Sequence, residues 1–176
     1  MRHDARAVAN YFLDKAQDAG KPLTPVQVTK LVYFAHGWSL GLLDSPLIED
    51  PVEAWDYGPV FRRIYDAFKH FGNQPITDRA REFIWAEFDE DTEEGEPIAG
   101  AFTDTERRLM DKVWGEYGGL AGFQMSKLTH RDGTPWAEVF VKGKKNIAIS
   151  DEIMAAHFKS EAAKNRVRRD QAAAAE

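Results

Sequence analysis

The sequence predicts an α+β fold that is mainly α-helical: a compact single domain of about six helices with a small, short-stranded β element. Three observations lead there. Apolar residues recur at helical spacing in one segment after another. Two capping boxes, Thr24 to Gln27 and Thr103 to Glu106, mark helix starts. The extended pieces, around Leu47–Trp55, Arg81–Phe88 and Ile147–Ile149, are too short for more than a minor sheet. At 176 residues the chain can bury one good core, and its apolar residues give no reason to divide it. Residues 1–158 are therefore expected to form the domain. Residues 159–176, basic and then alanine-rich, are expected to form a flexible or frayed helical extension.

The first helix should run from Asp4 to Asp18, with Ala5, Val8, Phe12 and Ala16 on one face and Gly20 as its stop. The second opens with Thr24 as cap and Pro25 in the first turn, where a missing N–H is no loss. It is apolar nearly all round, from Val26 to Leu42, so it belongs in the middle of the domain. Gln27, Thr29, Lys30, His36 and Ser39 interrupt it too often for a membrane span. Lys30 shares a stripe with Gly37 and Gly41, where small residues admit another helix.

Leu47 to Trp55 is expected to be a brief edge strand, bounded by Pro51. Gly58-Pro59 then predicts a rigid corner, with proline at the first position of a helix that carries Val60, Ile64, Tyr65, Phe68 and Phe71 on one side and pairs Arg62 with Asp66. That corner presents Trp55 and Tyr57, which either plug the core or form a recognition surface. The acids between Glu87 and Glu96 predict a solvated loop. A helix then carries Leu109, Met110, Val113 and Tyr117, a short one covers Gly122 to Thr129, and His130 to Trp136 is expected to be a loop. Ser150 caps the last helix.

Composition narrows the chemistry. A formal net charge of −6 disfavours indiscriminate nucleic-acid binding, and the absence of cysteine excludes disulfides and thiolate zinc sites. The start, Met1-Arg2-His3-Asp4, lacks an apolar signal core, which predicts a cytoplasmic protein. No phosphate loop, nucleophile elbow or paired-histidine metal motif occurs, and no metal or cofactor is expected. Two alternatives stay open. A small hydrolase-type enzyme would use Lys30, Tyr33, His130 and Asp132 as an acid–base pocket. A DNA-binding regulator would use Arg62, Arg63 and the tail cluster Lys164, Arg166, Arg168 and Arg169.

Three blocks, Lys30-Leu31-Val32-Tyr33-Phe34-Ala35-His36, Glu53-Ala54-Trp55-Asp56-Tyr57-Gly58-Pro59-Val60 and Leu128-Thr129-His130 through Pro135-Trp136, resemble the Panacea antitoxin domain family, which includes SocA-like and phage-associated proteins. The resemblance covers about Val8 to Phe158. It implies an antitoxin that binds a cognate protein toxin. Because SocA-like members act as proteolytic adaptors, it also implies delivery of that toxin to ClpXP. It implies no catalytic residue: Lys30, Tyr33, Trp55, Tyr57, Gly58, Pro59, His130 and Trp136 serve toxin binding or define the fold. Tyr57, Arg62 and Arg63 would be the exposed anchors. Arg166-Val167-Arg168-Arg169 resembles the docking peptide of other ClpX adaptors in composition.

Overall fold

The computed structural model describes residues 1–82 and 95–173. Its helices are α1 (Ala5–Asp18), α2 (Pro25–Leu43), α3 (Arg62–Phe68, continued by a 3-10 turn over Lys69–Phe71), α4 (Asp104–Tyr117), α5 (Gly122–Thr129), α6 (Pro135–Val139) and α7 (Asp151–Ala173). A three-stranded antiparallel sheet joins them, with strands β1 (Val52–Trp55), β2 (Gly58–Phe61) and β3 (Ala148–Ile149) in the order β2-β1-β3.

Helix α2 is the axle of the domain and packs against α1, α3, α4, α5, α7 and β2. Its residues Val28 to Gly37 are buried without a break, which explains why it carries no polar stripe. The predicted cap is present: the Thr24 N–H donates to Gln27 Oε1 at 3.0 Å, and the Gln27 amide reaches on to the Leu120 carbonyl at 2.9 Å. At α4 the box closes both ways, since Thr103 N–H donates to Glu106 Oε2 and Glu106 N–H to Thr103 Oγ1. The same Glu106 holds His3, 3.2 Å away, and so ties the chain's start to α4. Helix α7 crosses α2 where Gly37 and Gly41 leave room. A Cβ on Gly37 would fall 2.1 Å from the Phe158 ring, and one on Gly41 would fall 2.8 Å from the Phe158 carbonyl carbon.

Several expectations change. The strand near Trp55 lies in the middle of the sheet, not at its edge, because β3 covers its other side through the Ala54 N–H to Ile147 carbonyl bond. Gly58-Pro59 opens β2 rather than a helix, and α3 starts only at Arg62. Arg62 pairs with Glu53 instead of Asp66, which holds Lys69. The segment read as a loop up to Trp136 already contains the first turn of α6, with Thr134 as its cap, and this makes seven α-helices among the described residues. Residues past Phe158 continue α7 as regular helix to Ala173. Of the strand expected at Arg81–Phe88, Arg81 makes an isolated bridge to Pro97; positions 83–88, and the acids from 87 to 94, lie outside the described residues. Among the described residues no helix is long and apolar enough to cross a membrane.

Candidate functional site

The β1–β2 hairpin turns through Asp56 and Tyr57 and leaves Tyr57 83% exposed at its tip. Neither turn residue has a positive φ. That conformation falls on Gly58, at +102°, as in turns that close through a glycine. Glycine is required there twice over. Besides the backbone angle, an added Cβ would lie 2.6 Å from Lys30 Nζ and 2.9 Å from Thr129 Oγ1.

Proline at 59 has an edge-strand reason. Ala54 turns its N–H toward β3, so Pro59, its partner in the pairing, turns its own backbone groups outward from β1. The outward position needs no N–H, which proline lacks, and its carbonyl is taken by Lys30. Lys30 is 2% exposed and donates to the Tyr57 carbonyl at 2.9 Å and the Pro59 carbonyl at 3.0 Å. Burial pushes its ammonium down to about 7. The neutral amine has two N–H groups, which match the two carbonyls.

The third block closes the hairpin from the side. Trp136 Nε1 donates to the Trp55 carbonyl at 2.8 Å, and its ring lies 4.0 Å from that of His130. His130 Nδ1 donates to the Ser126 carbonyl at 2.6 Å, while Nε2 faces the Asp56 carbonyl at 3.4 Å. On the opposite side, the Arg62 guanidinium grips both oxygens of Glu53, which is 8% exposed, and lies over the Trp55 ring. Trp55 Nε1 donates to the same carboxylate at 2.9 Å. Arg62 also reaches Asn146 before β3.

The acid–base cluster does not assemble in this form. Lys30 and His130 both border Gly58, but Lys30 is spent on backbone carbonyls. Tyr33 is buried among the Phe34 and Phe158 rings, and burial raises its phenol pKa. Asp132 lines a separate cleft with His157. The two arginines expected as exposed anchors keep about half of their side-chain surface in solvent while each is paired, Arg62 with Glu53, and Arg63 with Asp4, Glu49 and Asp50. Those last three acids form the described cluster whose geometry could admit a cation, and Arg63 already occupies it. In the tail, Arg168 and Arg169 line a cleft with Trp38, Leu42 and Leu109, whereas Val167 is exposed.

One feature of this face was missed in the sequence. A cleft of about 640 Å³ runs beside the hairpin, lined by Val26, Tyr57, Tyr65, Lys69, Lys144 and Lys145 among others. The signal was there in Lys142-Gly143-Lys144-Lys145, three lysines in four residues.

The family model described as Antitoxin SocA-like, Panacea domain, matches residues 28–137, a span that holds all three blocks meeting at the hairpin. The chain belongs to that family. This Panacea-domain chain is also 32% identical over 142 residues to Antitoxin SocA of Caulobacter vibrioides (strain NA1000 / CB15N), an alignment covering 76% of this chain and 68% of that protein. No solved structure matches it. The family takes its name from an antitoxin and not from an enzymatic activity. The Panacea match leaves α1 and α7 outside its span, so the hairpin and its supports, more than the flanking helices, are what the family model covers.

Proposed function

We propose that this protein is an antitoxin that binds a cognate protein toxin with the hairpin face, and that it presents the bound toxin to ClpXP. The observation that carries the reading is the convergence of three distant sequence blocks beneath one exposed tyrosine. Lys30, Gly58, Pro59, His130 and Trp136 hold the hairpin, and Tyr57 is left free at its tip. A rigid, amphipathic ring on a fixed turn is the kind of anchor that dominates protein interfaces, since little conformational entropy is lost when it is buried. Arg62, by contrast, already neutralises Glu53 and lies over the Trp55 ring, with about half of its side chain still exposed.

The body of the domain, residues 1–158, would capture the toxin, and the end of α7 would contact the protease. Val167 is exposed there and Arg166 is beside it, which suits a short basic and apolar docking element. Arg168 and Arg169 border the cleft on α2 and α4 and would contribute less. Deleting residues 159–176 would also remove packing at that cleft, so point substitution is the cleaner probe. Expression of the product of the neighbouring gene should arrest growth, and co-expression of this chain should relieve the arrest. Arg166→Ala with Val167→Ala should still bind that product in vitro but should not accelerate its loss in reconstituted ClpXP. Growth arrest that this chain leaves untouched would overturn the antitoxin reading, and undiminished delivery would remove the tail from it.

A further inference from the structure

The cleft beside the hairpin differs in charge from the molecule that carries it. The chain has a net charge of −6, yet Lys69, Lys144 and Lys145 line this cleft, and Asp56 is the acid among its lining residues. Lys144 and Lys145 are exposed and, among the described residues, pair with no carboxylate. Between the cations the wall is apolar and aromatic: Val26, Tyr57 and Tyr65 are all exposed large hydrophobic residues. Such residues mark interaction sites when they gather in one concavity.

The floor is rigid. Lys30 fixes the hairpin, Trp55 packs on Tyr65 at 4.8 Å between ring centres, and Arg62 links Glu53 to Asn146, next to the two lysines. A preformed cleft loses little entropy on binding.

We propose that this cleft docks an acidic peptide segment of the toxin partner, with an apolar side chain against Val26 and Tyr65 and its carboxylates on Lys144, Lys145 and Lys69. The proposal rests on the antitoxin reading for the identity of the partner, though not for the chemistry of the site. Charge complementarity selects an acidic segment over a neutral one. The molecule's overall negative charge selects a short peptide over a nucleic acid, whose long phosphate array would meet the acids elsewhere on the surface. The Asp66 carboxylate, already paired with Lys69, limits that lysine to a supporting part.

The test uses the full chain, isotope-labelled for NMR, titrated with the capped peptide Glu-Glu-Glu-Leu-Phe-Glu-Glu-Glu, with the same peptide carrying Gln for every Glu, and with a single-stranded DNA oligonucleotide. The proposal expects saturable shifts at Val26, Tyr57, Tyr65, Lys144 and Lys145 with the acidic peptide alone. Lys144→Glu with Lys145→Glu should weaken that binding at least about tenfold, and added salt should weaken the wild type while moving the variant little. No saturable shift, shifts elsewhere, equal binding of the Gln peptide, or tighter binding of the DNA at these residues would each overturn it. Because growth rescue by co-expression is scored separately, a failed cleft and a failed antitoxin reading are told apart.

Discussion

Gly58 and Lys30 are one device seen from two sides. The glycine's positive φ turns the chain, and its missing side chain lets the lysine reach two carbonyls. Gly58→Ala combines backbone strain with a contact against Lys30 Nζ and should cost about 2–4 kcal/mol, read as a lower denaturation midpoint. A loss below half a kcal/mol would mean that the hairpin is softer than its geometry implies. Lys30 adds a pH signature. Its ammonium titrates at about 7 in the fold and at 10.5 in the unfolded chain, so between these values the unfolded state holds more protons. Stability should therefore rise with pH across that window, by up to about 1.4 kcal/mol per unit, as the cost of the buried charge disappears. Urea unfolding of wild type and Lys30→Met from neutral pH to about 10 should show the wild type gaining on the variant by about 1–3 kcal/mol. Parallel curves would place a charged partner beside Lys30 that burial alone does not supply. In the sequence Lys30 stood out only as an odd cation in an apolar helix, because nothing local says that its partners lie 27 and 29 residues away.

Among the elements, the legible ones announce themselves locally. Helices α1, α2, α4 and α7 follow from caps and apolar spacing, and α5, whose N-cap is Ala121, from its apolar residues alone. The hairpin does not, for a definite reason. Proline suits the first position of a helix and the outward position of an edge strand for the same cause, its absent N–H, so Gly58-Pro59 supports both readings and only the pairing of Ala54 with Ile147 decides. The contact of α7 with α2 gives a test at this scale. On Gly37 the atoms nearest to an added methyl are those of the Phe158 ring, whereas on Gly41 they are Phe158 Cβ and the backbone of Phe158 and Lys159. Each Ala substitution should cost about 1–3 kcal/mol. Adding Phe158→Ala should recover part of the loss for Gly37→Ala but none for Gly41→Ala, measured as a double-mutant cycle. Equal rescue at both sites would contradict the described approach of the helices.

At the level of the whole molecule, the architecture gathers three blocks from within the span of the family match onto one face. Three blocks that share no local pattern meet because α2 runs beneath the hairpin and α5 and α6 close it from the side. The blocks were legible as a family resemblance, but their convergence was not, since it depends on long-range packing. The basic cleft was overlooked because Lys144 and Lys145 sit in a loop without periodicity, and only the fold sets them beside Lys69, Tyr57 and Tyr65. Arg62 and Arg63 are exposed as the sequence leads one to expect, but the fold pairs both with carboxylates, so a partner would have to share them, whereas Tyr57 is unshared. Tyr57 is thus the anchor to test. The most direct measurement is the affinity of wild type and Tyr57→Ala for the product of the neighbouring gene, with the thermal midpoint recorded for each. The account predicts tight binding by the wild type, at least about tenfold weaker binding by the variant, and nearly equal midpoints. A wild type that does not bind, or a variant that binds as well, would contradict it.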